Sequence, residues 1–332
     1  MRQAVFAFAL LLMTGCSGVR LVIDAVPSTD ELTETIVMDD KAGGKLGEDK
    51  VAQIDLTGLI ADAPRFGVLV PGENPVSRFI EALLKAEEDK SVKAVVVRIN
   101  SPGGTVTASD VLFRAVKDFR ERSGKPVVMA MSDVAASGGY YVACAGDEII
   151  AHPTTVTGSI GVIIQTINFS EGMRRIGIRA DAITSGPNKA MGSPFEPMPP
   201  EHRELLQGLV IEFYGNFVSV VKENRPQLKA EEIELITDGR VVTGRHALDL
   251  GLVDRLGGLR EAFEAAKTRA NIKNARMVKY HRQLEYVGSP YAHAPTPTPA
   301  AASQINLVQL NLTGSLMGES AGFYYLWDPS AW

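Results

Sequence analysis

Lys93-Ala94-Val95-Val96-Val97-Arg98-Ile99-Asn100 runs straight into Ser101-Pro102-Gly103-Gly104 and then into a helical stretch from Thr107 to Arg122. This passage decides the fold class. The first run is β-branched and apolar almost throughout, as a strand buried on both faces of a parallel sheet must be. The helical stretch sets Leu112, Phe113, Val116 and Phe119 on one face, with Gly124 just past its end. The pattern then repeats. Pro126-Val127-Val128-Met129-Ala130-Met131 predicts a strand over 127–131, and a helix is expected over 138–145. Upstream, Val51 to Leu56 alternates as a strand, and Ser77 precedes Phe79, Ile80, Leu83 and Leu84 at helical spacing. Downstream, strands are expected at 148–151, 160–167, 178–184 and 277–280, with helices at 170–177, 200–224 and 259–270. The long helix carries an apolar face of Leu205, Leu209, Phe213, Phe217 and Val220. Strands alternating with helices at this spacing give an α/β fold with parallel sheets.

The 332 residues are 45% apolar and 22% charged, which fits a globular chain and excludes wholesale disorder. The net charge of -5, with no dense basic stripe, argues against nucleic acid as a partner. Arg2, the apolar run Ala4 to Met13 and Thr14-Gly15-Cys16 read as a secretory signal whose apolar core is too short to span a bilayer. Its Gly-Cys ending resembles a bacterial lipobox, although Met13 stands where leucine is commoner. Residues 1–15 are thus expected to be a lipoprotein signal peptide, and Cys16 the lipidated mature N-terminus. The plain alternative is an ordinary signal with an incidental cysteine. Cys144 is then the one other cysteine, so no intrachain disulfide is expected, and it reads as a small buried residue. Residues 16–48 are expected to be a stalk, 49–282 the folded body, and 283–332 a Pro/Thr linker with an aromatic tail. That tail, Phe323-Tyr324-Tyr325-Leu326-Trp327-Asp328, reads as a segment packed on its own body. The sharper reading docks it on a partner subunit, the membrane or a substrate groove.

Ser137 lies in Ala135-Ala136-Ser137-Gly138-Gly139-Tyr140-Tyr141, between a strand and a helix start. That is where a nucleophile would be placed. The glycine pair Gly103-Gly104 turns tightly after its own strand, and Gly138 follows Ser137. Backbone N–H groups from both corners are candidate oxyanion donors. A hydroxyl needs a base. The five histidines, His152, His202, His246, His281 and His293, lack a supporting motif, so a Ser-His-Asp triad is the weaker option. Lys189 stands alone among small and apolar residues from Ser185 to Phe195. Such a lysine could be desolvated and held uncharged. Ser159, in Thr157-Gly158-Ser159-Ile160-Gly161, could orient it.

The set Ser-Pro-Gly-Gly, Ala-Ser-Gly-Gly-Tyr-Tyr, Thr-Gly-Ser-Ile-Gly-Val and Gly-Pro-Asn-Lys-Ala-Met-Gly-Ser-Pro-Phe resembles the signal peptide peptidase A family. Gly239-Arg240-Val241-Val242-Thr243-Gly244 and Gly251-Leu252-Val253-Asp254 fit as well. The resemblance spans roughly 51–270. It implies a Clp protease/crotonase-like spiral of ββα units, making 49–282 the peptidase domain in its single-length form. It also implies Ser137 as nucleophile, Lys189 as general base, Ser159 as the serine supporting the lysine, and Gly138, Gly103 and Gly104 as oxyanion corners. A ring of subunits follows from the family pattern, with Lys189 acting within its own chain or on a neighbour's Ser137. The function implied is hydrolysis of apolar peptides, such as cleaved signal peptides or misfolded envelope segments, at a membrane reached through Cys16. That places the body in the bacterial envelope, facing the periplasm or exterior. No cofactor or metal is called for. Two rivals stand beside this reading: a crotonase-type enzyme acting on acyl-CoA, and a non-catalytic envelope scaffold.

Overall fold

The computed structural model describes residues 31–40, 49–64, 73–282, 285, 287–292 and 322–327. The expected signal peptide, Cys16 and the Pro/Thr linker lie outside them. In chain order the elements are β1 (Thr33–Asp39), β2 (Lys50–Thr57), α1 (Pro75–Glu88), β3 (Val92–Ser101), β4 (Gly103–Thr105), α2 (Val106–Ser123), β5 (Val127–Ala136), α3 (Gly138–Ala143), β6 (Glu148–Ala151) and β7 (Val156–Gly158). There follow α4 (Ser170–Arg175), α5 (Pro200–Asn224), α6 (Ala230–Ile236), β8 (Val241–Thr243), α7 (Gly244–Asp249), β9 (Arg255–Leu256), α8 (Leu259–Arg269), β10 (Arg276–His281) and β11 (Tyr324–Leu326).

The main sheet runs β1-β10-β2-β3-β5-β6-β9, with β7 on β5 and β8 on β7. Its pairs are parallel apart from β1 on β10 and β7 on β8. The expected α/β fold with parallel sheets, of the Clp protease/crotonase type, is the fold observed. The strand at 93–100 is central and buried on both faces, and its side chains divide by parity. Val95, Val97 and Ile99 join one apolar cluster with Leu112, Val116 and Phe119 of α2. Ala94 and Val96 join a second with Leu259, Ala262 and Phe263 of α8. Each such valine or leucine taken out of water contributes about 1.5–3 kcal/mol. Local chemistry sets the helix starts. Asn74 accepts hydrogen bonds from the N–H groups of Val76 and Ser77, so α1 begins at Pro75 rather than near Ser77.

Four differences from the sequence reading stand out. Thr33–Asp39, inside the expected stalk, is a sheet strand paired with β10, because its alternating side chains find a free edge there. β5 continues past Met131 to Ala136, since its second half changes partner from β6 to β7. The strands expected at 160–167 and 178–184 do not form. The first leaves a single bridge, Ile163 to Tyr324, and residues 178–184 are exposed with no described strand beside them. Of the apolar face expected on the long helix, Phe217 is buried and Phe213 and Val220 are half-buried, but Leu205 and Leu209 are exposed and Leu206 and Val221 are buried instead.

Candidate active site

Both glycine-rich corners arise where parallel strands end, the usual location of ligand crevices in α/β sheets. β3 and β5 pair in regular register up to Ile99–Met131, then shift so that Ser101 faces Ala135. The shift swings Ser101-Pro102-Gly103 beside the turn out of β5. Two hydroxyls tie the extended half of β5 to the segment that follows β6. Thr155 Oγ1 donates to the Ser132 carbonyl at 2.6 Å, and Thr157 Oγ1 to the Ala135 carbonyl at 2.7 Å.

Ser137 occupies the turn from β5 into α3. Its N–H donates to the Gly158 carbonyl at 2.8 Å, and its own carbonyl accepts from Tyr141 N–H at 2.9 Å. Its backbone sits at φ 52°, ψ -116°, a conformation that L-residues avoid. Only three non-glycine residues among those described have positive φ, and Ser137 and Ser159 are two of them. Strain of this kind costs about 1–3 kcal/mol and persists where the surroundings over-determine it. The Ser137 side chain is 1% exposed, and its Oγ has no hydrogen-bond partner. A buried hydroxyl left unpaired is itself unfavourable by about 1–3 kcal/mol. Stability does not account for it.

The glycine corners close against this turn. A Cβ on Gly104 would lie 1.8 Å from the Ile60 carbonyl oxygen, and one on Gly103 (φ 105°) would lie 2.7 Å from Gly138 N. No larger residue fits either place. Gly103 N–H donates to Ser101 Oγ at 3.1 Å, and Ser101 Oγ in turn donates to the Gly58 carbonyl at 2.6 Å. Gly103 therefore spends its donor inside its own turn. Gly138 is the better candidate oxyanion donor, since the first N–H groups of α3 have no intrahelical acceptor. The bracing role of Ser101 was not legible from sequence.

Ser159 is close by. It follows Gly158, which pairs with Ala136; its N–H donates to the Arg240 carbonyl at 2.7 Å, and it is 7% exposed. Ser137, Ser159, Gly138 and the Gly103-Gly104 turn are thus gathered in one place. Lys189 is not. It lies on an exposed arm, its N–H bonded to the Gly186 carbonyl at 3.2 Å, and its amine does not reach Ser137 Oγ. The desolvation expected for Lys189 does not occur within one chain, because the arm packs little against the body. A hollow of about 480 Å³ on this arm is lined by Pro187, Asn188 and Gly192, and contains no residue of the strand ends. The groove in front of Gly103 and Gly138 is filled instead by the main chain of β11, which pairs with β4.

Other candidates fall away on their surroundings. His152 bonds Thr154 Oγ1, and His202 Nε2 lies 3.0 Å from the Pro187 carbonyl. His281 sits against Thr35, and His293 is outside the described residues. Burial pushes the Cys144 thiol up to about 12, so it is a packing residue and not a thiolate. Among the described residues no cluster of His, Cys, Asp and Glu could hold a metal ion.

Comparison with known proteins bears on this arrangement. The profile of peptidase family S49 matches residues 120–273, a span that includes Ser137, Ser159 and Lys189. A putative protease of Synechocystis is 39% identical over 223 residues, which cover 67% of this chain and 75% of that relative.

The chain belongs to peptidase family S49.

A putative signal peptide peptidase SppA of Enterococcus faecium is 31% identical over 252 residues, covering 76% of this chain and 71% of the relative. Protease 4 of Haemophilus influenzae is 33% identical over 222 residues, which amount to 35% of that longer protein. This S49 chain is a serine peptidase of the SppA type. The acyl-CoA and scaffold alternatives are set aside by that membership. No helix among the described residues is long and apolar enough to cross a membrane.

Proposed function

We propose that this S49 peptidase is an envelope endopeptidase that cleaves apolar peptides with a Ser137/Lys189 dyad shared between subunits. The observation that carries the reading is the orphaned, buried hydroxyl of Ser137 beside the Gly104 and Gly138 corners. An uncharged Lys189 amine takes the Ser137 proton, and Ser137 Oγ attacks the peptide carbonyl. The oxyanion is held by backbone N–H groups, and the proton passes to the leaving amine. Water, activated by the same lysine, then releases the acyl group from Ser137. Ser159 steadies the amine.

Lys189 comes from a neighbouring chain. Its arm exposes Ile167, Phe169, Ile176, Ile178, Ile183 and Phe195, an apolar surface suited to a seam in a ring. Burial of the amine in such a seam would disfavour its charged form. Lipidation at Cys16 tethers the ring to the membrane and keeps it near apolar segments released there.

Two substitutions test the dyad. Ser137→Ala and Lys189→Ala should each lower peptide cleavage by about 10⁴-fold or more while the fold persists. A fluorophosphonate probe should label Ser137 in the unaltered protein, read by mass spectrometry. Cleavage retained in either variant, or an adduct on another serine, would remove the dyad.

A further inference from the structure

Ser109 stands one turn into α2, fully buried, and the mechanism above does not use it. Its hydroxyl donates to the Thr105 carbonyl at 2.9 Å. That carbonyl opens the helix ladder and already accepts from the backbone N–H of Ser109. The hydroxyl bond is an addition that the helix does not need. Alanine favours a helix more than serine does, and a serine bonded back to the carbonyl four residues earlier weakens its helix slightly. Alanine would fit the same space, so the stability of α2 does not call for a hydroxyl here.

What the hydroxyl faces is the residue after Ser137. A Cβ built on Gly138 would meet Ser109 Oγ at 2.4 Å and Gly103 Cα at 3.2 Å. The Ser109 oxygen thus takes the room that any side chain at 138 would need, on the boundary between the two glycine corners. The next residue holds α2 to the same element: the Tyr141 phenol of α3 donates to the Asp110 carboxylate at 2.9 Å. The space beside Ser109 Oγ admits a carbonyl oxygen, since that of Tyr325 lies 3.1 Å from the same Gly138 Cβ position. Gly103 N–H is spent on Ser101 Oγ, so it is not free to share a developing charge with Gly138 N–H.

We propose that Ser109 is a further catalytic residue of this peptidase, a side-chain hydroxyl that donates to the oxyanion beside Gly138 N–H. In the resting chain its hydrogen points at the Thr105 carbonyl. Ser137 Oγ adds to the peptide carbonyl carbon, and the π pair of the C–O bond moves onto the carbonyl oxygen. The Ser109 hydroxyl then turns its hydrogen to that charge. The proton stays on Ser109, and the Thr105 carbonyl keeps its helical N–H. A hydrogen bond to an ionised acceptor is about twice as strong as one between neutral groups. The turn therefore becomes favourable only as charge develops, which stabilises the transition state and not the bound peptide. The inference rests on the Ser137 mechanism above and adds a residue to it.

The test compares full-length Ser109→Ala with the unaltered chain on an apolar quenched-fluorescence peptide, with Ser137→Ala as the control. Both are also made in a Tyr325→Ala background, which loosens the strand lying in the groove. A peptide aldehyde, which forms a tetrahedral hemiacetal with Ser137, probes the oxyanion corner without turnover. For Ser109→Ala the expected kcat is about 10- to 100-fold lower, with KM within about twofold. This is less than the loss of a fixed donor, because Ser109 gives up its Thr105 bond to act. The aldehyde should bind more weakly by a similar factor, and the urea midpoint should not fall. A kcat within about twofold of the unaltered chain overturns the assignment and leaves the serine mechanism standing. So does a lower kcat with aldehyde affinity unchanged, which marks a packing role. Absence of Ser137-dependent cleavage in both the unaltered chain and its Tyr325→Ala form overturns the serine mechanism and this inference with it.

Discussion

Ser137 combines a positive φ with a buried hydroxyl that bonds to nothing, and both features are unfavourable for folding. Replacing it should therefore separate stability from activity. Ser137→Gly removes the strain and the orphaned group together. It is expected to raise the unfolding free energy by about 1 kcal/mol while abolishing cleavage, as read from urea melts alongside the peptide assay. Ser101 behaves in the opposite way. Its hydroxyl accepts from Gly103 N–H and donates to the Gly58 carbonyl, so Ser101→Ala leaves the buried Gly103 N–H unpaired and takes a partner from Gly58. A loss of about 1–3 kcal/mol in urea melts and a drop in kcat are expected. Ser137 was legible in the sequence because small residues flank it between two recognisable elements. Ser101 was not, because its partner Gly58 is distant in the chain and nothing local marks the contact.

At the scale of elements, the sequence made the central strand and α2 plain. Both are locally consistent: a β-branched run, then a helix capped by Thr105 and ended by Gly124 at φ 66°. Nothing lies within 4 Å of a Cβ placed on Gly124, so its role is purely conformational. Gly124→Ala should accordingly cost about 1–2 kcal/mol in thermal or urea melts, with cleavage unchanged. The second half of β5 was harder to read. Ser132-Asp133 interrupts the apolar run, and only a change of neighbour from β6 to β7 keeps the strand going. Residues 33–39 likewise became a strand because β10 offered an edge, which no local pattern reveals. The arm carrying Lys189 shows the converse. Its apolar residues at 178–184 look like a strand in isolation, yet no described strand pairs with them, and Ile178 and Ile183 remain exposed.

Over the whole molecule, the parallel sheet gathers Ser137, Ser159, Gly104 and Gly138, while the residue expected to activate the serine stays on the exposed arm. A single chain thus holds half of the proposed chemistry, and the proposal draws the rest from a seam between chains. The most direct measurement is cleavage of an apolar peptide by Ser137→Ala and Lys189→Ala chains, assayed singly and after co-expression in equal amounts. Sharing across a seam leaves each variant inactive alone. Co-expression pairs an intact serine with a neighbour's intact lysine at about a quarter of the seams, and activity should return to about that fraction. A co-expressed assembly as inactive as its separate components, or activity in either variant alone, would contradict the shared dyad.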